Sequence, residues 1–273
     1  MAASARLAAI AIGFFSVVQA DLTSASAVEP GDVIKDCEAC PELIVVAAGS
    51  FVMGSDRRTT EGPPRAVIVE RPFAIGRFEV TVRQWQACVA AGGCVDRSGE
   101  SAGQHPDRPA GGLSWHDARL YVGWLSRTTG YRYRMPSEAQ WEFAARAGST
   151  GDFWWGPQLG VGNAQCRDCG SPFGADGSAP VGSFRPNPFG LYDVSGNVWE
   201  WVEDCWHRGF GHAPGDDSAW LVPGCRMRVL RGGGWDDGAY MMHVTTRLGL
   251  EAGNSARSNG LRVMREIEDT ERQ

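Results

Sequence analysis

Residues 190–204 read GLYDVSGNVWEWVED. A glutamate, Glu200, stands between Trp199 and Trp201, just after a turn carrying Asp193, Ser195 and Asn197. A carboxylate among aromatic rings is costly unless it meets a cation or hydrogen-bond donors. Taken alone, these residues leave three roles open: a catalytic acid, a metal ligand, or a core carboxylate satisfied by the protein.

Outward from this stretch, the chain has 273 residues, enough for one large domain or two small ones. No composition break and no internal repeat divides it, which points to one α+β domain. The 36 glycines imply many special backbone positions and little regular structure, and the 11 tryptophans suit the core of such a loop-rich fold. The net charge is −6, and no basic patch neutralises phosphates, so nucleic acid is excluded as a partner. A peptide or a small molecule is the expected substrate or ligand.

The N-terminus has Arg6, the apolar run LAAIAIGFFSVV and then small residues, the pattern of a secretory signal peptide over 1–27. Cleavage after Ala20 or Ala27 fits the small-x-small rule. The run is short for a membrane span, and no later stretch is longer, so an exported, periplasmic protein without a membrane span after cleavage is expected. Export favours disulfides, and the eight cysteines fall into neighbouring pairs: Cys37 with Cys40, Cys88 with Cys94, Cys166 with Cys169, and Cys205 with Cys225. Zinc at the two C-x-x-C pairs is the competing reading, although they are far apart in sequence.

Residues 28–41 read as a polar lead-in, 42–55 as a hairpin, 66–80 as further strand, and 267–273 as a tail. Three helices are expected: 81–92 capped by Thr81, 113–130 capped by Ser114 and closed by Gly130, and a third capped by Ser137 and closed by Gly148. The second carries an apolar stripe of Ala118, Leu120, Tyr121, Trp124 and Leu125. Residues 226–235 and 258–266 each read as one strand.

Seven motifs then line up in order: AGSFVMGS (48–55), EVTVRQWQACV (79–89), SWHDARLYVGWL (114–125), YRMPSEAQWEFAAR (133–146), PNPFGLYDVSGNVWEW (186–201), RVLRGGGW (228–235) and GLRV (260–263). Together they resemble the formylglycine-generating enzyme, or sulfatase-modifying factor, family, and the resemblance spans residues 42–266. The resemblance implies a C-type-lectin-like fold stabilised by calcium. Its calcium site maps onto the Asp193 and Glu200 side chains and the Gly196 and Val198 carbonyls. A second site maps onto Asn163, the Ala164 carbonyl and Asp176, in a loop that departs from the family pattern through its Cys166/Cys169 pair.

The same resemblance exposes a gap. The family's oxidase uses two cysteines after the RGGGW-like strand; here those positions fall at Asp237 and Met242, and the last cysteine of the chain is Cys225. The family's peptide groove maps near Trp235, Asp237 and Arg247. Asp236, Asp237, Met241, Met242 and His243 are alternative ligands for a redox metal of unknown identity, against a plain packing role for the methionines. His105, His116, His207, His212 and His243 do not give the spacing of the family's iron-binding branch, and no Ser-His-Asp signature, nucleophile elbow or phosphate loop is present. Two functions are therefore expected to compete. One is a divergent oxidative-tailoring enzyme, acting for instance on a periplasmic metabolite as in pyoverdine maturation. The other is a non-catalytic scaffold that binds a peptide, a glycan or a partner enzyme.

Overall fold

Capping boxes set all three helices of the computed structural model, which describes Met1, residues 27–97 and residues 105–272. The expected signal segment lies outside the described residues except at its two ends. Helix α1 (Val82–Ala90) starts at Thr81, whose hydroxyl accepts from Gln84 N while the Gln84 side chain accepts from Thr81 N. The same reciprocal pair, Ser114 with Asp117 and Ser137 with Gln140, opens α2 (Trp115–Thr129) and α3 (Glu138–Arg146). Each box satisfies N–H groups that the first turn cannot pair internally. Gly130 closes α2 in the left-handed region, and Ala147 takes that conformation after α3, one residue before the expected Gly148.

Strands β1 (Val33–Ile34), β2 (Leu43–Val46), β3 (Gly49–Met53), β4 (Arg65–Val69) and β5 (Phe73–Gly76) precede the helices. Strand β6 (Tyr133–Arg134) separates α2 from α3. After α3 come β7 (Trp199–Cys205), β8 (Met227–Arg231), β9 (Arg247–Glu251), β10 (Asn259–Leu261) and β11 (Met264–Glu266). They form an antiparallel five-stranded sheet in the order β1-β2-β5-β11-β6, a four-stranded sheet in the order β10-β7-β8-β9, and the β3-β4 hairpin. The β10–β7 pair is the one parallel ladder among these strands.

Alternation along the buried strands divides two cores. Leu43 and Val45 of β2, Ala74 of β5, Trp199 and Trp201 of β7 and Leu230 of β8 pack with Trp85 of α1 and Tyr121 and Leu125 of α2. Ile44 and Val46, Phe73 and Ile75, Val202 and Val229 pack with Trp141 and Phe143 of α3. Because β2 is covered on both faces, all four of its residues are apolar.

Several expectations need correction. Residues 42–55 are not a hairpin: β2 pairs with β1 and β5, whereas β3 pairs with β4 in a separate ladder. Continuous burial in β2 and alternating burial in β3 distinguish the two. The closing stretch is two strands, because β10 joins β7 and β11 joins β5 and β6. The lead-in belongs to the fold, through β1 and through Asp36, which accepts from the Tyr133 hydroxyl at 2.6 Å. The tail is tied down as well: Val28 N donates to Glu271 O at 2.7 Å, and Glu271 pairs with Arg265. Leu120, expected on the apolar stripe, is exposed, and Val122 is buried in its place among the core residues of α2. Among the described residues, no helix is long and apolar enough to cross a membrane.

A buried ionic network joins α3 to the four-stranded sheet. Arg247 donates Nε and Nη2 to the Glu138 carboxylate, both at 2.6 Å, and Nη1 to the carbonyls of Thr60 and His207. Its guanidinium lies between the rings of Trp206 and Phe210, 4.5 and 4.4 Å from their centroids. Arg231 pairs with Glu142 beside it, and Glu142 also holds Arg146 at 2.9 Å. Asp204 accepts from Glu138 N at 2.7 Å and Trp220 N at 2.8 Å; burial, then the nearby Glu138 charge, pushes its carboxyl up to about 7.

Two predictions follow from this network. Arg247→Met leaves buried Glu138 with Arg231 alone, 3.5 Å away, and should lower the unfolding free energy, measured by urea titration, by about 3 kcal/mol. For Asp204, the folded chain holds a proton to about pH 7, whereas the unfolded aspartate releases it near pH ~3.9. Its charging cost is therefore absent in acid and complete in neutral solution. The stability of wild type relative to Asp204→Asn should fall as pH rises through that window, read from melting temperatures across the range.

Candidate functional site

Parity along β7 answers the question raised by Glu200. Trp199 and Trp201 face the α1/α2 core, and Glu200 between them faces Trp141 of α3. Trp141 Nε1 donates to Glu200 Oε2 at 2.6 Å, while Arg262 reaches Oε1 from Nη2 at 2.7 Å and Oε2 from Nε at 3.0 Å. The glutamate expected to bind calcium is thus neutralised by an arginine of the chain itself. Arg262 also donates to the carbonyls of Gly76 and Tyr192, both at 2.8 Å.

Two more carboxylates crowd this place. Glu79 accepts from Asn197 Nδ2 at 3.0 Å and Val198 N at 3.3 Å; burial, then Asp193 and Glu200, raises its carboxyl well above the usual range. Asp193 accepts from Gly182 N at 2.6 Å through Oδ2, and burial pushes it up to about 6. Its Oδ1 is buried without a partner. Three buried carboxyls face one arginine here. A cation fits the free oxygen of Asp193; Glu200 is already engaged at both oxygens. The loop of the second expected calcium site meets the Gly196–Asn197 turn through Gln165, whose carbonyl accepts from Asn197 N at 2.8 Å and whose side chain donates to the carbonyls of Gly174 and Gly177. Asn163 donates Nδ2 to Leu159 O at 2.8 Å, Ala164 is buried, and Asp176 is exposed.

Beyond β8, the chain turns sharply through Gly232 and Gly233, both in the left-handed region at φ 97° and 82°. A Cβ on Gly233 would run into Met242 and come within 2.9 Å of Met241 O, so the turn closes onto that methionine only with glycine. Trp235 N donates to Asn197 O at 2.8 Å, and Asp237 Oδ2 accepts from Trp199 Nε1 at 2.7 Å and Gly234 N at 3.1 Å. The tryptophan beside Glu200 thereby orients the aspartate that stands where the family places its first cysteine. The disulfide loop packs on the same turn: Arg167 N donates to Asp237 O at 2.9 Å, and Ala239 N donates to Asp168 Oδ1 at 2.6 Å.

Trp235 and Asp237 therefore share one turn, as expected, and Arg257 stacks 5.6 Å from the Trp235 ring. Arg247 does not join them. Its buried side chain is committed to Glu138, so it is a structural arginine and not a groove residue. Met242 is fully buried against Phe153, Ala164 and the Cys166–Cys169 disulfide, which makes it a packing residue. Nor do Asp236, Asp237 and His243 form a metal-binding trio. Among the described residues, the one such trio is Cys166, Asp168 and Cys169, and its two sulfurs are joined in a disulfide. His243 is half-buried against Phe153; burial, then Arg57, pushes its pKa down, so the neutral imidazole is favoured. A neutral imidazole is competent to accept a proton from a bound molecule.

All eight cysteines form the four expected disulfides, Cys37–Cys40, Cys88–Cys94, Cys166–Cys169 and Cys205–Cys225. Sequence reasoning missed Arg262, Trp141 and Glu79 as the surroundings of Glu200. They lie 59 to 121 positions from it in sequence, so no local spacing marks them.

With this geometry in place, the comparisons are consistent. The sulfatase-modifying factor enzyme 1-like domain matches residues 29–267, and the chain belongs to that family. It is 30% identical to the formylglycine-generating enzyme of Thermomonospora curvata over 223 residues, 60% of this chain and 71% of that protein. It is 29% identical to the inactive C-alpha-formylglycine-generating enzyme 2 of Mus musculus over 282 residues, 81% of this chain and 85% of that one. The structure of PvdO from Pseudomonas aeruginosa superposes with a TM-score of 0.80 at 37% identity, covering 88% of this chain and 100% of PvdO. The fold is the α+β sulfatase-modifying factor fold that the motifs implied.

The disulfides generate a direct test. Denatured, unreduced protein should give no reaction with a thiol reagent, and reduction should release all eight thiols.

Proposed function

We propose that this chain is an exported member of the family that does not generate formylglycine, and that it carries out oxidative tailoring of a peptide or small-molecule substrate. The observation that carries the first part is the complete pairing of the cysteines. Copper(I) chemistry on a substrate thiol needs soft thiolate ligands. The two positions that would supply them hold Asp237, bound by Trp199, and Met242, sealed in the core. Support for export comes from the signal-like N-terminus and from four disulfides, which persist in oxidising compartments. Support for oxidation comes from the family resemblance, in which Asp237 keeps a carboxylate on the turn that follows the RGGGW strand.

A second reading, a non-catalytic binding protein, draws support from the likeness to the inactive mouse relative. Purified protein separates the two readings. Substrate-dependent dioxygen uptake with extracts of the producing cell supports tailoring, and its absence together with stable capture of a partner supports binding.

The reading also gives the protein a structural calcium ion at Asp193 and the Gly196 and Val198 carbonyls. The unpartnered Asp193 Oδ1 supports it. A chelator should then lower the melting temperature of wild type and leave Asp193→Ala unchanged; an unmoved wild type rejects the ion. Incubating copper-loaded protein with dioxygen and a C-x-P-x-R peptide should give no aldehyde above the metal-only control by mass spectrometry.

A further inference from the structure

A cleft of about 410 Å³ opens beside Trp154 and Trp155, bordered by Asn163, Phe184, Arg185 and Tyr192. The two tryptophans are neighbours in sequence but are anchored in different cores. Trp154 packs against the α3 core, and Trp155 against the cluster around the Cys166–Cys169 disulfide. Their rings meet edge to face at 5.3 Å and 90°, which leaves part of each on the cleft wall. Trp155 stacks on Phe153 at 5.0 Å and 11°, and Phe153 in turn meets His243 at 5.2 Å. A chain of ring contacts therefore runs from the cleft to His243.

The charge of the lining is selective. Arg185 is exposed and makes no ion pair or hydrogen bond among the described residues. Among the described residues, no aspartate or glutamate lines the cleft, although the chain as a whole carries a net charge of −6. A cationic ligand would meet a guanidinium with no carboxylate to balance it. A sugar would need several paired donors and acceptors, and the cleft offers few: Trp155 Nε1 is used by Gln158 O, and Asn163 Nδ2 by Leu159 O. A flat ring suits the aromatic walls, and an anionic oxygen pair suits Arg185. The volume matches a single small molecule.

We propose that this cleft binds an aromatic carboxylic acid, its ring held by Trp154, Trp155 and Tyr192 and its carboxylate by Arg185. The proposal names a ligand class for the protein and is measured by binding alone. Its failure would leave the question of turnover untouched, and a lack of turnover would leave the cleft untouched.

The test uses 4-hydroxyphenylacetate as the probe, titrated into the full protein and followed by tryptophan fluorescence and calorimetry. Saturable binding is expected, weakened about tenfold for the neutral amide 4-hydroxyphenylacetamide and to a similar degree in Arg185→Met. The melting temperature of Arg185→Met should be unchanged, because the side chain it replaces is exposed. Trp155→Leu should weaken binding further; if it does not fold, the arginine variant and the amide carry the test. Absence of saturation into the millimolar range, equal affinity for acid and amide, or wild-type affinity in Arg185→Met would each overturn the proposal.

Discussion

The pairing of Arg262 with Glu200 holds the two main sheets in one body. Arg262 lies in the short gap between β10, an edge strand of the four-stranded sheet, and β11, an inner strand of the five-stranded one. Its guanidinium is fully buried and grips β7 through Glu200, the end of β5 through Gly76 O, and the loop before β7 through Tyr192 O. A buried arginine that satisfies a carboxylate and two carbonyls is costly to desolvate, and the fixed fork of its donors specifies one mutual placement of the groups around it. The rest of the architecture inherits that placement. β7 is set against α3 through Trp141, and the same strand presents Trp199 to Asp237 on the candidate site.

Local chemistry was legible in the sequence. Thr81, Ser114 and Ser137 marked all three helix starts because a capping box lies within four consecutive residues. The cysteine pairs were legible for the same reason: each partner is close by in the chain. Strand partnership was not legible. LIVV at 43–46 and GSFVM at 49–53 look like the two arms of one hairpin, yet the first is covered on both faces and the second on one. That difference depends on α1, α2 and α3, which come later in the chain. The closing stretch failed in the same way, because nothing in SNGLRVMRE shows that its two ends belong to different sheets.

At the expected groove, Trp235 and Asp237 stand on one turn, as two residues so close in sequence must. Arg247 was misplaced because its environment is assembled from Glu138, Trp206 and Phe210, which no alignment of short motifs brings together. Glu200 shows the limit of reading a ligand from its flanks. The surrounding aromatic residues require a positive partner, but they do not say whether it is an ion or a side chain 62 positions away.

The split of residues 259–266 between two sheets also governs how the molecule is made. β11 sits between β5 and β6, and β10 adds the parallel ladder on β7. Both pairings close long loops, and such contacts form slowly because chain entropy is lost before they reward it. Neither sheet is complete until this late segment arrives, so a nascent chain lacking it exposes the unpaired edges of β5 and β7. Those edges would be a hazard during synthesis in a crowded compartment. The late arrival of the closing strands thus leaves both sheets open until the far end of the domain has been made.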